Sequence, residues 1–174
     1  MLKGGVIGFG RMGVIHYSIL NTHPDVKFVA VCDPSKFILK NLKRYTPLKL
    51  FADYRKMLDE TDVDFVIVAT PTASHAEIVK AAIERGLHMF VEKPFSMNVE
   101  EGRELVAMLE GKALVNQVGY FLRFNEVFRA VKKIITNGLI GEIIYYKNEM
   151  YGRTVLKASK SGWRSKKGLG GGCM

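Results

Sequence analysis

Three glycines near the start of the chain carry the first chemical signal. Gly8, Phe9, Gly10, Arg11, Met12 and Gly13 spell G-x-G-x-x-G. In a strand-to-helix turn, Gly8 permits the tight bend, Gly10 lets the backbone approach a pyrophosphate, and Gly13 lets helix and sheet pack closely. A helix opening at Arg11 adds free N–H groups and a partial positive charge. Asp33 stands 20 residues beyond Gly13. A carboxylate there accepts from both hydroxyls of an adenosine ribose and repels a 2′-phosphate, which favours NAD over NADP. Lys36 keeps NADP open, because its ammonium could meet that phosphate. The glycines by themselves also fit a nucleotide-free α/β domain, since they often do no more than permit tight turns.

Two later stretches carry polar groups of a different kind. Ala69-Thr70-Pro71-Thr72-Ala73-Ser74-His75 follows one apolar strand pattern, and Glu92-Lys93-Pro94 follows the next. A lysine desolvated beside a cofactor can hand protons at neutral pH. The plainer reading of Lys93 is a solvated lysine paired to Glu92. His75 falls in a helix's first turn, where it either serves the site or hydrogen-bonds the backbone. His16 reads as a buried structural residue on the first helix, and Cys32 as a small core residue beside Asp33. The two cysteines, Cys32 and Cys173, have no metal-type spacing, so neither a disulfide framework nor a Cys-rich zinc site is expected and no metal is assigned.

The elements that must position these groups alternate along the first two thirds. Strands are expected at Val6–Ile7, Val26–Cys32, Lys49–Phe51, Asp64–Ala69, His88–Val91 and Ala113–Val118. Helices are expected from Arg11 to about Leu20, Ser35 to about Tyr45, Tyr54 to Asp59, Ala73 to Arg85, and from an Asn98 cap to about Glu110. Such alternation implies an α/β fold, a doubly wound parallel sheet with helices on both faces and ligands at the strand carboxyl ends. After Gly119 the pattern changes. Asn125 to Asn137 reads as an amphipathic helix with Val127, Phe128, Val131, Ile134 and Ile135 on one face, and Glu142 to Tyr151 as a long strand. Residues 1–119 are thus expected to form the dinucleotide-binding domain, and 120–174 the first elements of an α+β second domain.

Composition narrows the classes. The 174 residues are 48% hydrophobic and 25% charged, which excludes disorder as the main state. No apolar run reaches the roughly 18–20 residues of a membrane span, and the N-terminus shows no signal-peptide pattern, so a cytoplasmic protein without a membrane partner is expected. The net charge is +9, but residues 1–119 hold 15 basic and 14 acidic residues, and residues 120–174 hold 11 and 3. A basic last third could face an anion or a nucleic acid. Its charges lack the aromatic interleaving of single-strand binders, and no nucleic-acid partner is expected.

These motifs, taken in order, resemble the glucose–fructose oxidoreductase, inositol dehydrogenase and rhizopine-catabolism (Gfo/Idh/MocA) family. The series runs from the glycine loop with His16 behind it, through Asp33, A-T-P-T-A-S-H, Gly86-Leu87-His88 and Glu92-Lys93-Pro94, to Gly119-Tyr120 with Arg123-Phe124-Asn125; Trp163-Arg164 and Gly170-Gly171-Gly172 continue it. The resemblance implies that Thr70, Pro71 and His75 line the dinucleotide. It places Glu92 and Lys93 at the nicotinamide ribose and the substrate, and Gln117 near the nicotinamide. Lys93 is the implied catalytic proton-relay lysine, with its proline often cis. Tyr120, Arg123, Trp163 and Arg164 are the implied substrate-side residues. The implied reaction moves a hydride between NAD(P) and a hydroxyl-bearing carbon of a sugar, cyclitol or sugar nucleotide, in a protein that is a homo-oligomer at full length. Family members are roughly twice as long, and the aspartate and histidine expected shortly after the triple glycine are not found before Met174. The chain therefore reads as an N-terminal portion that binds the dinucleotide but lacks the catalytic histidine. The rival reading is a non-catalytic NAD-binding module, a sensor or scaffold.

Overall fold

A computed structural model describes residues 1–149 and 166–169. Six strands form one parallel sheet: β1 (Leu2–Ile7), β2 (Val26–Cys32), β3 (Lys49–Phe51), β4 (Phe65–Val68), β5 (His88–Val91) and β6 (Asn116–Val118). Their order is β3-β2-β1-β4-β5-β6. Every adjacent pair is parallel, with Ile7 beside Cys32 and Val68, and Val68 beside Val91. The order reverses between β1 and β4, the switch point at whose carboxyl edge open α/β sheets bind ligands. The expected doubly wound sheet is the one observed.

Five helices connect the strands: α1 (Arg11–Leu20), α2 (Lys36–Leu42), α3 (Tyr54–Glu60), α4 (His75–Glu84) and α5 (Val99–Leu109). Local chemistry sets their ends. Ser35 caps α2, Asp53 caps α3 by accepting from the Arg55 and Lys56 N–H groups, and Asn98 caps α5 by accepting from Glu101 N–H. Glu101 reaches back to Met97 N–H, a near-relative of the capping box. A 3₁₀ turn at Thr72–Ser74 precedes α4, which ends before Gly86 at φ +69°. The helix expected over Ala73–Arg85 is therefore split at its start. The core has two parts. Met57, Val66, Val68, Ile78, Ile83, Met89 and Leu105 are buried together, and Val6, Phe9, Phe28, Val31 and Ile67 form a second cluster against Tyr17 and Leu42. Val66 and Val68 point to one face and Ile67 to the other, as strand alternation requires.

Beyond β6 the packing thins. A 3₁₀ turn at Phe121–Phe124 leads to α6 (Glu126–Thr136), capped by the Asn125 side chain and stopped before Gly138 at φ +67°. The apolar face read from the sequence is present but uncovered: Val127 is 68% exposed, and Phe128, Val131 and Ile134 are each 40% exposed. The strand expected over Glu142–Tyr151 is not formed across residues 142–149; Met150 and Tyr151 lie outside the described residues. The reason is physical: a strand needs a neighbour for its backbone groups. Among the described residues no strand adds to this segment, and Ile144 is 95% exposed. A short turn at Lys167–Leu169 rests against Thr72–Ser74. Trp163, Arg164 and the triple glycine lie outside the described residues.

Candidate functional site

The glycine loop joins β1 to α1 at the carboxyl edge of the sheet. Gly8 has φ +89°, and a Cβ there would sit 2.7 Å from the Ala69 carbonyl and 2.8 Å from Thr70 N. Only glycine lets the end of β1 touch the end of β4 this closely. A Cβ on Gly13 would land on the Gly8 carbonyl oxygen, so only glycine lets the helix approach the loop this closely. Gly10 differs from both. It is the N-cap of α1, has no side-chain cap bond, and would meet nothing within 4 Å of an added Cβ. The N-terminus of α1 thus faces open space, with no acidic residue in its first turn. Arg11 is exposed, Met12 half-buried, and Phe9 is packed inward against Tyr17.

Asp33 closes the next side. It is 7% exposed, just past β2. Its Oδ2 accepts the Phe9 N–H at 2.8 Å and its Oδ1 accepts the Ser35 N–H at 2.8 Å. The carboxylate therefore shapes the glycine loop as well as offering its remaining lone pairs outward. Lys36 is exposed at the start of α2. Beside Asp33, burial pushes the Cys32 thiol up to about 12, with the negative charges of Asp53 and Asp33 adding to the effect. Cys32 is 4% exposed, the small core residue expected.

The turn after β4 supplies Thr70, Pro71 and Thr72. The hydroxyls of Thr70 and Thr72 are buried with no hydrogen-bond partner among the described residues. His75 is 1% exposed. Its Nδ1 lies 2.8 Å from the Pro94 carbonyl and its Nε2 3.0 Å from the Thr70 carbonyl. Of the two readings drawn from the sequence, the backbone one describes its contacts: His75 staples the turn after β4 to the turn after β5 from beneath the rim.

After β5, Glu92 and Lys93 part company. Lys93 is exposed on the rim, and its bond to Pro94 is cis, as the resemblance implies. Glu92 is 8% exposed and turned inward. Its Oε1 accepts from His16 Nε2 at 2.7 Å, and its Oε2 from the Lys93 backbone N–H at 3.2 Å. The plainer reading of Lys93, a solvated lysine paired to Glu92, describes its exposure, but Glu92 meets the Lys93 backbone N–H rather than the ammonium. His16 is half-buried and bonded to the rim rather than a plain core residue. The sequence reading missed this pair, although both residues stand in the motif series. Gln117 is exposed on β6 beside Phe90, and Tyr120 and Arg123 are exposed just beyond it.

A dinucleotide fits what is present. The uncapped helix start, the open space over Gly10, the acceptor at Asp33 and two orphaned threonine hydroxyls are the groups it would satisfy. Among the described residues no cluster of three or more His, Cys, Asp or Glu could hold a metal. None of their helices is long and apolar enough to cross a membrane.

Comparison with known proteins agrees with this geometry. The family model described as "oxidoreductase family, NAD-binding Rossmann fold" matches residues 2–120. The chain is 34% identical over 148 residues to scyllo-inositol 2-dehydrogenase (NAD(+)) of Bacillus subtilis, covering 84% of this chain and 43% of that protein. It is similar to the crystal structure of scyllo-inositol dehydrogenase from Lactobacillus casei with bound NAD(H) and scyllo-inositol, with TM-score 0.73, 28% identity, and 82% and 43% of the two chains covered. It is likewise similar to the WlbA dehydrogenase from Bordetella pertussis in complex with NADH and UDP-GlcNAcA, with TM-score 0.74, 26% identity, and 80% and 43% covered. The chain thus spans less than half the length of these relatives. Since that model spans the glycine loop and all six strands of the parallel sheet, the chain belongs to the Gfo/Idh/MocA oxidoreductase family, the family with an NAD-binding Rossmann fold.

Proposed function

We propose that residues 1–119 form the dinucleotide-holding part of an NAD-dependent oxidoreductase acting on a hydroxyl-bearing carbon of a sugar, cyclitol or sugar nucleotide. The observation that carries the reading is convergence. The glycine loop, Asp33, Thr70, Pro71 and Lys93 come from four different strand ends and meet along one edge of the sheet. When bound, the dinucleotide would accept or return the hydride. The protein's own residues have separate tasks. Gly8 to Gly13 and the start of α1 bind the pyrophosphate, and Asp33 holds the adenosine ribose. Thr70 and Pro71 line the cofactor, with His75 holding their turn in place. Lys93, on the rim, relays the proton of the substrate hydroxyl, and Gln117 lies toward the nicotinamide. Tyr120, Arg123, Trp163 and Arg164 are assigned to the substrate side.

Relatives whose names specify inositols and a UDP-sugar support the polyol or sugar class. Turnover needs a substrate held against the nicotinamide and a proton acceptor in reach. The 174 residues are expected to bind NAD. The test uses the protein expressed from its own gene, with NAD and a panel of inositols, aldoses and UDP-sugars, following NADH absorbance. Lys93→Ala is expected to lower the rate by about 10²–10⁴-fold, the usual worth of a positioned acid–base group. Oxidation of none of the panel, or a Lys93→Ala rate equal to the unmodified one, would overturn the reading. NAD binding with no turnover of any polyol would favour the sensor or scaffold instead.

A further inference from the structure

Glu92 is an expensive residue to keep where it is. Its carboxylate is turned in from the rim among β5, β6 and α1, and a buried charge costs free energy unless it is well bonded. The structure spends three elements on holding it. His16, in the second turn of α1, is 2.7 Å away through Nε2. A carboxylate only accepts, so the ring is the donor. The His16 ring tilts against Phe90 with centroids 4.7 Å apart, which fixes the ring plane. On the far side Gly119 makes the room: a Cβ there would lie 3.1 Å from Phe90 Cζ and 3.3 Å from Glu92 Oε1. The second carboxylate oxygen takes the Lys93 backbone N–H.

From this arrangement we infer that His16 is a positioning residue for the nicotinamide end of the site, acting through Glu92 on the backbone of Lys93. The inference rests on the dinucleotide reading given above. It makes α1 do two things: its first turn faces the pyrophosphate, and its second turn fixes the group that presents Lys93. Loss of the His16 donor frees Glu92 and loosens the Lys93 backbone, while the glycine loop and Asp33 keep their own contacts. The nicotinamide half of the cofactor should then suffer and the adenosine half should not. A residue that merely stabilised the fold would affect both halves alike.

The experiment compares NADH with ADP, which probes the adenosine and pyrophosphate groups alone, on the 174-residue chain. His16→Phe keeps a ring on Phe90 without a donor, and His16→Gln restores an N–H near the same place. His16→Phe is expected to weaken NADH by about tenfold, the order of one hydrogen bond to a charged group, and to leave ADP within about twofold. His16→Gln is expected to recover most of the loss. Glu92→Gln, which keeps the shape, should show the same selective loss and serves if His16→Phe does not fold. Equal losses for NADH and ADP, or no loss of NADH in either variant, would overturn the inference while leaving the dinucleotide reading intact. Failure of the unmodified chain to bind either ligand would instead overturn that reading, and the role of His16 with it.

Discussion

Replacing Asp33 with alanine should do two separable things. In the unliganded chain it removes the acceptor of two backbone donors, Phe9 N–H and Ser35 N–H, each at 2.8 Å. Phe9 is buried and its N–H has no water to turn to, so that loss is about 1–3 kcal/mol. Ser35 is only half-buried, and solvent should replace most of its bond. A total near 2 kcal/mol corresponds to a melting temperature lower by about 4–12 °C for a domain of this size. With ligand, the change also removes the charged acceptor for the ribose hydroxyls, worth about 1–3 kcal/mol, or roughly 5- to 150-fold in NAD affinity. NADP should lose less, because the same carboxylate opposes its 2′-phosphate. The assay is calorimetric titration of both dinucleotides at matched ionic strength, alongside a thermal melt. The unmodified chain should prefer NAD, and the preference should shrink in Asp33→Ala. Tighter binding of NADP by the unmodified chain would mean that Lys36 outweighs Asp33. An unchanged melting temperature would mean that the Phe9 bond does not hold the loop.

Other perturbations read different parts of the site. Gly13→Ala places a Cβ on the Gly8 carbonyl and should destabilise the chain by about 1–3 kcal/mol or more in urea melts. Gly10→Ala meets no atom within 4 Å, so it should melt normally yet bind NADH more weakly, because the new methyl group stands where the pyrophosphate approaches. His75→Phe forfeits contacts to two carbonyls and forces a larger ring into a buried position, so it should cost about 1–3 kcal/mol or more in chemical denaturation. The Cys32 thiol, held up near 12 by burial, should resist labelling at neutral pH by peptide mapping of the folded chain. Because its acidity is suppressed only in the folded state, its contribution to stability is full below the ordinary thiol range. That contribution should decline as pH rises from about 9 toward 12.

The glycine loop, the six strands and the Asn98 cap were legible because their causes are local: a period, a glycine, a capping side chain. The doubly wound parallel sheet followed from alternation and handedness, while the strand order came only with the structure. What escaped had non-local causes. His16 and Glu92 are 76 residues apart, and nothing in either neighbourhood shows that Gly119 leaves room for the Glu92 carboxylate and the Phe90 ring. His75 could be placed at a helix start, but its direction depends on where the turn after β5 passes. The segment from Glu142 has the β-branched and aromatic content of a strand, and that content forms a strand only against a partner. Conversely, the amphipathic face of α6 was read correctly, and what the sequence could not say is that it stays uncovered among the described residues.

Hydrogen exchange read by mass spectrometry, with and without saturating NADH, tests the location of the site most directly. Slower exchange is expected in peptides covering residues 8–14, 33–36, 70–76 and 92–95, the four strand ends on one edge of the sheet, since a ligand that binds only the folded site protects it. Peptides from α6, and from the groove along α5 lined by Phe95, Val99, Arg103 and Val106, should change little apart from Phe95 itself. No protection at the glycine loop, or protection centred on the α5 groove, would contradict the placement of the cofactor at the carboxyl edge.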